Sequence, residues 1–83
     1  MQDNEIFQKV LTIVKPYVKN QESFDKAESS TRFIEDLRIN SARLVDIILA
    51  MEDEFNLTIS DQEAEEIQTI GKAVEVIKQK AQQ

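Results

Sequence analysis

Apolar residues recur at intervals of three and four along most of this chain, which is the spacing of helices with one buried face. A β-fold is not indicated, because one Gly and one Pro provide few of the turns that strands require. A chain of 83 residues buries only about 60% of its unfolded surface, which is enough for one small core. We therefore expect a single all-α domain over residues 1–83. It should be a four-helix bundle with a long loop between the first two helices and a short third helix.

The first predicted helix spans about residues 4–15 and follows a cap at Asp3 or Asn4. Pro16 lacks an N–H group and disfavours a helical conformation in the residue before it, so the next turn is either kinked or already loop. Residues 19–40 are mostly polar and predict a long surface loop that a few apolar side chains pin to the core. These predicted anchors are Phe24, Phe33, Ile34 and Leu37.

The second predicted helix has a well-marked start. Asn40 is a favourable N-cap residue, and Ser41 then occupies the first helical position. With that assignment, Ile39 and Leu44 are spaced to pack together as a hydrophobic staple. The helical period then predicts a core face made of Leu44, Ile47, Ile48, Met51 and Phe55.

Two shorter signals predict the remaining helices. Ser60 and Glu63 have the spacing of a capping box, which predicts a short third helix ending near Ile67. Thr69 is a favourable cap for the fourth helix. That helix is expected to bury Ile70, Ala73, Val74 and Ile77 and to carry Lys78 and Lys80 at its C-terminal end.

The negative charge is concentrated in one segment. Residues 44–71 contain eight Asp and Glu and no Lys or Arg, whereas the whole chain has a net charge of −6. This acidity argues against nucleic acid as a ligand, because phosphate binding needs a basic face. Basic protein surfaces are favoured as partners instead. No apolar run approaches the ~20 residues of a membrane span and the N-terminus does not resemble a signal peptide, so we expect a cytoplasmic protein without membrane insertion.

The composition also limits the chemistry. With no Cys and no His, the chain cannot use disulfides, thiolates, a His general base or the common zinc sites. Asp53 and Glu54 are adjacent carboxylates, but neighbouring helical positions diverge in direction and no second ligand cluster accompanies them. We therefore expect no catalytic residue, no metal site and no enzyme activity.

A family resemblance rests on residues 33–55, F-I-E-D-L-R-I-N-S-A-R-L-V-D-I-I-L-A-M-E-D-E-F. This run resembles the core of acyl carrier proteins, in which F-x-E-D-L-G-x-D-S-L precedes an acidic amphipathic helix that closes on acids and a Phe. Residues 59–67, I-S-D-Q-E-A-E-E-I, are similar to the family's I-P-D-E-E-A-E-K-I, and the match continues through residues 69–74. The resemblance covers nearly the whole chain in the correct order.

The resemblance implies that Ser41 is converted to a 4'-phosphopantetheine ester by a phosphopantetheinyl transferase that uses coenzyme A and magnesium. Acyl groups would then be carried as thioesters on the terminal thiol, and an acyl chain would shelter between helices. The absence of Cys agrees with this, because the thiol must be imported. A serine at a helix start would also place the phosphodiester near free N–H groups and the positive end of the helix dipole.

The resemblance further implies a docking face on the second helix. It would bind acyl-activating, condensing and acyl-transferring enzymes through their basic patches, with the carrier as a monomer. Charge attraction would give fast encounter and easy release. The expected docking residues are Asn40, Ala42, Arg43, Val45, Asp46, Leu49, Glu52 and Asp53.

Four positions near Ser41 depart from the family pattern: Arg38 replaces Gly, Asn40 replaces Asp, Ala42 replaces Leu, and Arg43 replaces an acidic or neutral residue. The docking edge nearest the serine is therefore more basic than is usual in the family. We hypothesise a specialised carrier that serves a dedicated enzyme set instead of the housekeeping fatty acid pathway. The resemblance itself leaves fatty acid, polyketide and related specialised biosynthesis open.

Two other interpretations stay open on the sequence alone. In the first, the chain is an unmodified, carrier-like interaction module with a structural or regulatory role, and Ser41 only starts a helix. In the second, the chain carries amino acids or peptides. The second is less favoured, because those relatives approach the serine through small, Gly-rich residues and residues 38–40 are bulky and polar here.

Overall fold

The structure, a computed structural model, describes residues 2–81. Within this range the chain forms five α-helices, and the all-α prediction is confirmed. Single 3₁₀ turns, Lys15–Tyr17 and Ser41–Arg43, follow the first helix and precede the third. The helices are α1 (Asp3–Val14), α2 (Gln21–Asp25), α3 (Leu44–Phe55), α4 (Asp61–Glu66) and α5 (Ile70–Ala81). No helix within residues 2–81 has the length and apolar character to cross a bilayer.

The core forms where α1 packs against α5 and, less extensively, against α3. On α3, Ile47 and Met51 are at most 1% exposed, while Leu44, Ile48 and Phe55 are half-buried against them, so the predicted core face is confirmed. The predicted core residues of the last helix are also buried. The buried apolar side chains of the helices are Ile6, Val10, Val14, Ile47, Met51, Ile70, Ala73, Val74, Val76 and Ile77.

The start of α1 differs from the sequence prediction, and its end resolves the alternative that the prediction left open at Pro16. The predicted cap at Asp3 or Asn4 is wrong: the N-cap is Gln2, which is extended and makes no side-chain capping bond. Asp3 is already helical, and its carboxylate accepts from the Lys78 ammonium on α5 at 2.8 Å. At the other end, the α-helix stops before Pro16, which lies within the 3₁₀ turn, and the extended Val18 follows that turn.

The predicted loop over residues 19–40 contains the short helix α2, which the sequence analysis missed. Its cap is Asn20, whose side-chain oxygen accepts from the Ser23 amide at 3.2 Å. The amides of Lys19 and Asn20 both donate to the Leu37 carbonyl, at 3.1 and 3.2 Å. The start of this segment is therefore hydrogen-bonded to its end.

The second half of the loop enters the core. Phe33, Leu37 and Ile39 are at most 1% exposed, and Phe24 is half-buried against the core. Ile34 is 40% exposed, so its prediction as an anchor is wrong. Residue 34 lies next to the buried Phe33 in an irregular segment, and its side chain faces outward.

Backbone hydrogen bonds fix this loop to the junction between α4 and α5. The Phe33 amide donates to the Gln68 carbonyl and the Ile70 amide donates to the Thr31 carbonyl, both at 3.0 Å. One residue later, the Gly71 amide donates to the Ser29 carbonyl at 2.8 Å. A Cβ atom at residue 71 would lie 2.9 Å from both Cβ and the carbonyl oxygen of Ser29, so this approach requires glycine.

Two residues other than glycine occupy the left-handed region, Arg38 at φ 60° and Asn56 at φ 53°. Asn56 ends α3 and donates its amide to the Glu52 carbonyl. Asn is tolerated in this conformation because its short side chain can hydrogen-bond locally, whereas a long side chain such as Arg is disfavoured there by about 1 kcal/mol or more. Arg38 therefore stores backbone strain two residues before the helix start at Asn40.

We expect Arg38→Gly to stabilise the fold by about 1 kcal/mol, because glycine adopts positive φ without a Cβ clash. Urea denaturation monitored by circular dichroism measures this change in the free energy of unfolding. Asn56→Gly is the matched control, and it should change stability by only a few tenths of a kcal/mol, about the difference between two residues that both tolerate this conformation. Equal effects of the two substitutions would contradict the assignment of strain to Arg38.

Candidate functional site

Ser41 is the first residue of the 3₁₀ turn that leads into α3, and Asn40 is its N-cap, as predicted. The Asn40 side-chain oxygen accepts from the Ala42 amide at 3.0 Å, and its carbonyl accepts from the Arg43 amide at 2.8 Å. The Leu44 amide donates to the Ser41 carbonyl. The N–H groups that follow Ser41 are thus already satisfied, which corrects the expectation that they are free to bind a phosphodiester.

The Ser41 side chain is exposed and makes no hydrogen bond with any residue in the described range 2–81. Its hydroxyl is therefore open to reagents from outside the chain. No His is present to remove its proton, so another molecule must supply the base for any reaction at this oxygen. A primary hydroxyl on a fixed helix start fits an attachment point for a phosphate ester.

The outward face of α3, below Ser41, is largely apolar. Val45 is 64% exposed and Leu49 is 57% exposed, and they lie one turn apart on the same side of the helix. Ala42 lies on the same side, one turn before Asp46. Exposed apolar residues at this spacing form a stripe that a partner protein can cover.

The carboxylates of α3 are less available than the sequence suggests. Asp46 pairs with the Arg43 guanidinium at 3.3 Å, and Glu54 pairs with the Lys9 ammonium at 3.4 Å. Glu52 is half-buried, and its Oε2 accepts from the Ile59 amide at 2.7 Å.

These contacts give the predicted docking carboxylates different surroundings. Glu52 holds the loop after α3, and Asp46 is partly neutralised by Arg43. Asp53 is exposed, and its carboxylate makes no ion pair or hydrogen bond within residues 2–81. Of the three expected docking carboxylates, Asp53 is thus the one left without an intramolecular contact in the described chain.

A cavity of about 310 Å³ lies between α3 and α4. It begins at Leu44 and Val45, which are three and four residues after Ser41 and hence one helical turn below it. A second cavity of about 310 Å³ shares part of this lining and extends to the exposed Ile34. The lining of the first is Phe33, Leu44, Val45, Ile47, Ile48, Leu49, Met51, Glu52, Ile59, Asp61, Ala64, Glu65 and Ile67.

The cavity residues on the α4 side, Ile59, Ala64 and Ile67, were not predicted as part of the site. Ala64 on α4 and Ile67 at its C-cap are three residues apart, and this spacing of apolar residues is the signal that could have indicated a shared face. Val45 and Leu49 were predicted as docking residues, and the structure also places them in the cavity wall. The exposed apolar stripe and the cavity wall therefore share these two side chains.

Helix α4, which forms one cavity wall, is held at its N-terminus by side-chain contacts. The predicted capping box is confirmed: Ser60 Oγ accepts from the Glu63 amide at 3.1 Å, and Glu63 Oε1 accepts from the Ser60 amide at 2.9 Å. The same Glu63 oxygen lies 2.9 Å from the Lys80 ammonium near the end of α5. This ammonium, together with the Ser60 amide, lowers the pKa of the Glu63 carboxyl to about 2.

Thr69 caps α5, as predicted, by accepting from the Lys72 amide at 3.1 Å. The buried Ile67 lies between the end of α4 and this cap. The cavity wall opposite α3 is therefore fixed at its start by the capping box of Ser60 and Glu63, and just beyond its end by the Thr69 cap.

Comparison with known proteins places this arrangement in a family. Residues 5–77 match the family model described as phosphopantetheine attachment site. The acyl carrier protein of Lactobacillus acidophilus is 40% identical over 78 residues, which cover 94% of this chain and 95% of that protein. The solved structure of the acyl carrier protein from Enterococcus faecalis superimposes with a TM-score of 0.79 at 32% identity, covering 96% of this chain and 99% of that one.

The chain therefore belongs to the acyl carrier protein family, within the phosphopantetheine attachment group of domains. Its biochemical role is that of a carrier, and the cofactor of this family is a covalently attached 4'-phosphopantetheine. The exposed serine hydroxyl at the start of α3 fits such an ester.

We expect the ion pair between Glu63 and Lys80 to make stability depend on pH at the acid end. The folded pKa of Glu63, about 2, lies below the ordinary value of 4.5. Its contribution to stability is therefore complete above about pH 4.5 and is lost as the pH falls toward 2.

Glu63→Gln tests this, because Gln keeps the capping box but cannot pair with the ammonium. The difference in unfolding free energy between wild type and this variant should be largest at pH 6 and should shrink at pH 3, as measured by urea denaturation. Glu66→Gln is the control: it removes the same charge from the exposed far end of α4, where no ammonium pairs with the carboxylate within residues 2–81, and its pH-dependent difference should be much smaller. A constant difference between wild type and Glu63→Gln across this range would contradict the assignment.

Proposed function

We propose that Ser41 carries the 4'-phosphopantetheine arm and that the chain presents acyl intermediates, bound as thioesters, to the enzymes of a biosynthetic pathway. One observation supports this above others: the exposed Ser41 hydroxyl stands at a capped helix start in a chain of this family that has no thiol of its own. The attached arm supplies the thiol that forms the thioester.

In the proposed loading step, the Ser41 hydroxyl oxygen forms a bond to the phosphorus atom that bears the pantetheine of coenzyme A. The diphosphate bond of coenzyme A breaks, 3',5'-ADP leaves, and a base of the transferase accepts the serine proton. This chain provides only the position of the Ser41 hydroxyl. Asn40 fixes the turn, and the buried Ile39 holds the preceding backbone against the core. The hydroxyl therefore reaches the transferase in one orientation.

We further propose that the cavity between α3 and α4 shelters the acyl chain. Its lining includes Leu44 and Val45, one turn after Ser41, and consists mainly of aliphatic side chains. Burial of methylene groups in such a space is favourable by about 0.8 kcal/mol for each group. The hydrogen bond from the Ile59 amide to Glu52 holds the loop that closes one side of this cavity.

The docking face proposed from the sequence includes Asn40, Ala42, Arg43, Val45, Asp46, Leu49, Glu52 and Asp53. We now propose that apolar contact at Val45 and Leu49 supplies most of its binding energy, because Glu52 and Asp46 already have intramolecular partners. Asp53 supplies the charge that a basic patch on the partner recognises. The partners are the loading transferase and the acyl-activating, condensing and acyl-transferring enzymes of fatty acid, polyketide or related specialised biosynthesis.

Loading can be tested by intact mass after incubation with coenzyme A, magnesium and a broad-specificity phosphopantetheinyl transferase. We expect the wild type to gain the mass of one phosphopantetheine, and Ser41→Ala to gain none. Ser30→Ala, which removes another exposed hydroxyl, should load as the wild type does. If the wild type gains no mass, the unmodified interaction module becomes the better interpretation.

We expect the docking face to respond more to apolar than to charged substitutions. The double variant Val45→Ser and Leu49→Ser should raise the transferase KM for the carrier about tenfold, since burial of one such side chain is worth more than 1 kcal/mol.

Asp53→Asn should have a smaller effect that disappears in high salt, and Asp46→Asn should have the least effect, since Arg43 already neutralises that carboxylate. Steady-state loading kinetics at two salt concentrations distinguish these cases. An Asp46→Asn effect as large as that of the apolar double variant would contradict the apolar assignment.

A further inference from the structure

Two arginines bracket Ser41 along the chain, and both are exposed. Consecutive Cα atoms are 3.8 Å apart, so the Cα atoms of Arg38 and Arg43 lie at most about 11 and 8 Å from that of Ser41. They are the only cationic residues between positions 33 and 71. We call these two residues the cationic edge.

Arg38 occupies its position at a cost to the fold. Its φ of 60° is unfavourable for an arginine, and glycine or asparagine would adopt this conformation more readily. Its side chain is exposed and does not fill the core. Nothing in the packing of the described residues therefore accounts for a long cationic side chain at this point.

The nearby carboxylates do not neutralise Arg38. Glu35 and Asp36 both pair with Arg32, at 3.4 and 3.3 Å. Asp36 also accepts from the Arg32 amide at 2.8 Å, and the Arg32 guanidinium lowers the pKa of its carboxyl. Within residues 2–81 Arg38 makes no ion pair, so its guanidinium can bind an anion from outside the chain.

Arg43 is placed unfavourably in a different way. It lies in the first turn before α3, where the helix dipole favours anions over cations. Its pair with Asp46 joins two exposed side chains, with 62% and 45% of their surfaces accessible, and pairs of this kind contribute little to stability. A better-placed carboxylate can displace Asp46 without disturbing the fold.

We propose that the cationic edge binds carboxylates on the phosphopantetheinyl transferase that loads this chain, and so determines which transferase recognises it. This inference rests on the proposed modification of Ser41. The loading enzyme must bring its reacting atoms to the Ser41 oxygen itself, whereas later enzymes meet the far end of the arm. Residues that flank Ser41 therefore lie closest to the transferase.

The charge of the cationic edge is opposite to that of the rest of the docking face. Arg38 and Arg43 lie at the serine end of α3, and Asp53 lies at the other end. A transferase with acidic groups beside its active site and a basic group further away matches this arrangement in one orientation only. Guanidinium groups suit the recognition because they bind carboxylates in a planar, two-pronged geometry.

The test uses the holo-carrier synthase of the source organism and a broad-specificity transferase from another source. The variant is Arg38→Asn with Arg43→Gln, in which Asn retains the left-handed backbone without charge. The matched control is Lys15→Gln with Lys26→Gln, which removes the same net charge at exposed positions away from Ser41. Loading rates are measured against carrier and coenzyme A concentration at low and high salt.

With the organism's own synthase, we expect the arginine variant to lose about tenfold in kcat/KM through a higher KM for the carrier, an effect that high salt abolishes. The lysine control should change less than twofold, and the broad-specificity transferase should load all three proteins alike. Arg38→Lys with Arg43→Lys should recover part of the loss. Circular dichroism and urea denaturation should show that the arginine variant is folded.

Three results would contradict the inference. The first is equal loading of the arginine variant and the lysine control by the organism's synthase. The second is a change in the KM for coenzyme A instead of the carrier, which would mean that the arginines contact phosphates. The third is a loss of kcat/KM in the arginine variant that has the same size with both transferases. Failure of both transferases to load the wild type would contradict the proposed function itself, and is distinguishable because no protein would gain mass.

Discussion

The burial of Phe33, Leu37 and Ile39 is the constraint on which the rest of the structure depends. These three side chains, at most 1% exposed, belong to the same buried cluster as the side chains of the three twelve-residue helices. Because Ile39 is buried, the next residue, Asn40, emerges at the surface in the extended conformation of an N-cap. The position of Ser41 is thus set by hydrophobic packing of the segment before it, more than by α3 itself.

Much of the charge in this acidic chain has an intramolecular role. Lys80 reaches Glu63 on α4, Lys78 reaches Asp3 on α1, and Glu52 accepts a backbone amide from the loop that follows α3. Each contact fixes an element that borders the core or the cavity. On α3 itself, Asp46, Glu52 and Glu54 also have intramolecular contacts, so a count of acidic residues overestimates the number of its carboxylates that are free of such contacts.

Local sequence signals were sufficient to predict much of the fold. The caps at Asn40, Ser60 and Thr69 could be predicted because each needs only a few neighbouring residues. The short helix α2 was missed because five mostly polar residues carry too little periodicity. The cavity depends on how α3 and α4 approach each other, and the engagement of Glu52 depends on the reversal at Asn56. Such features arise from tertiary contacts, so residue spacing alone could not predict them.

The capping role of Asn40 has a consequence for the unmodified chain. Its side chain and carbonyl already satisfy the amides of Ala42 and Arg43, so the start of α3 needs no bound anion to form. In this respect the fold does not depend on a phosphate group at the helix start. The turn that leads into α3 already has its final geometry in the unmodified chain.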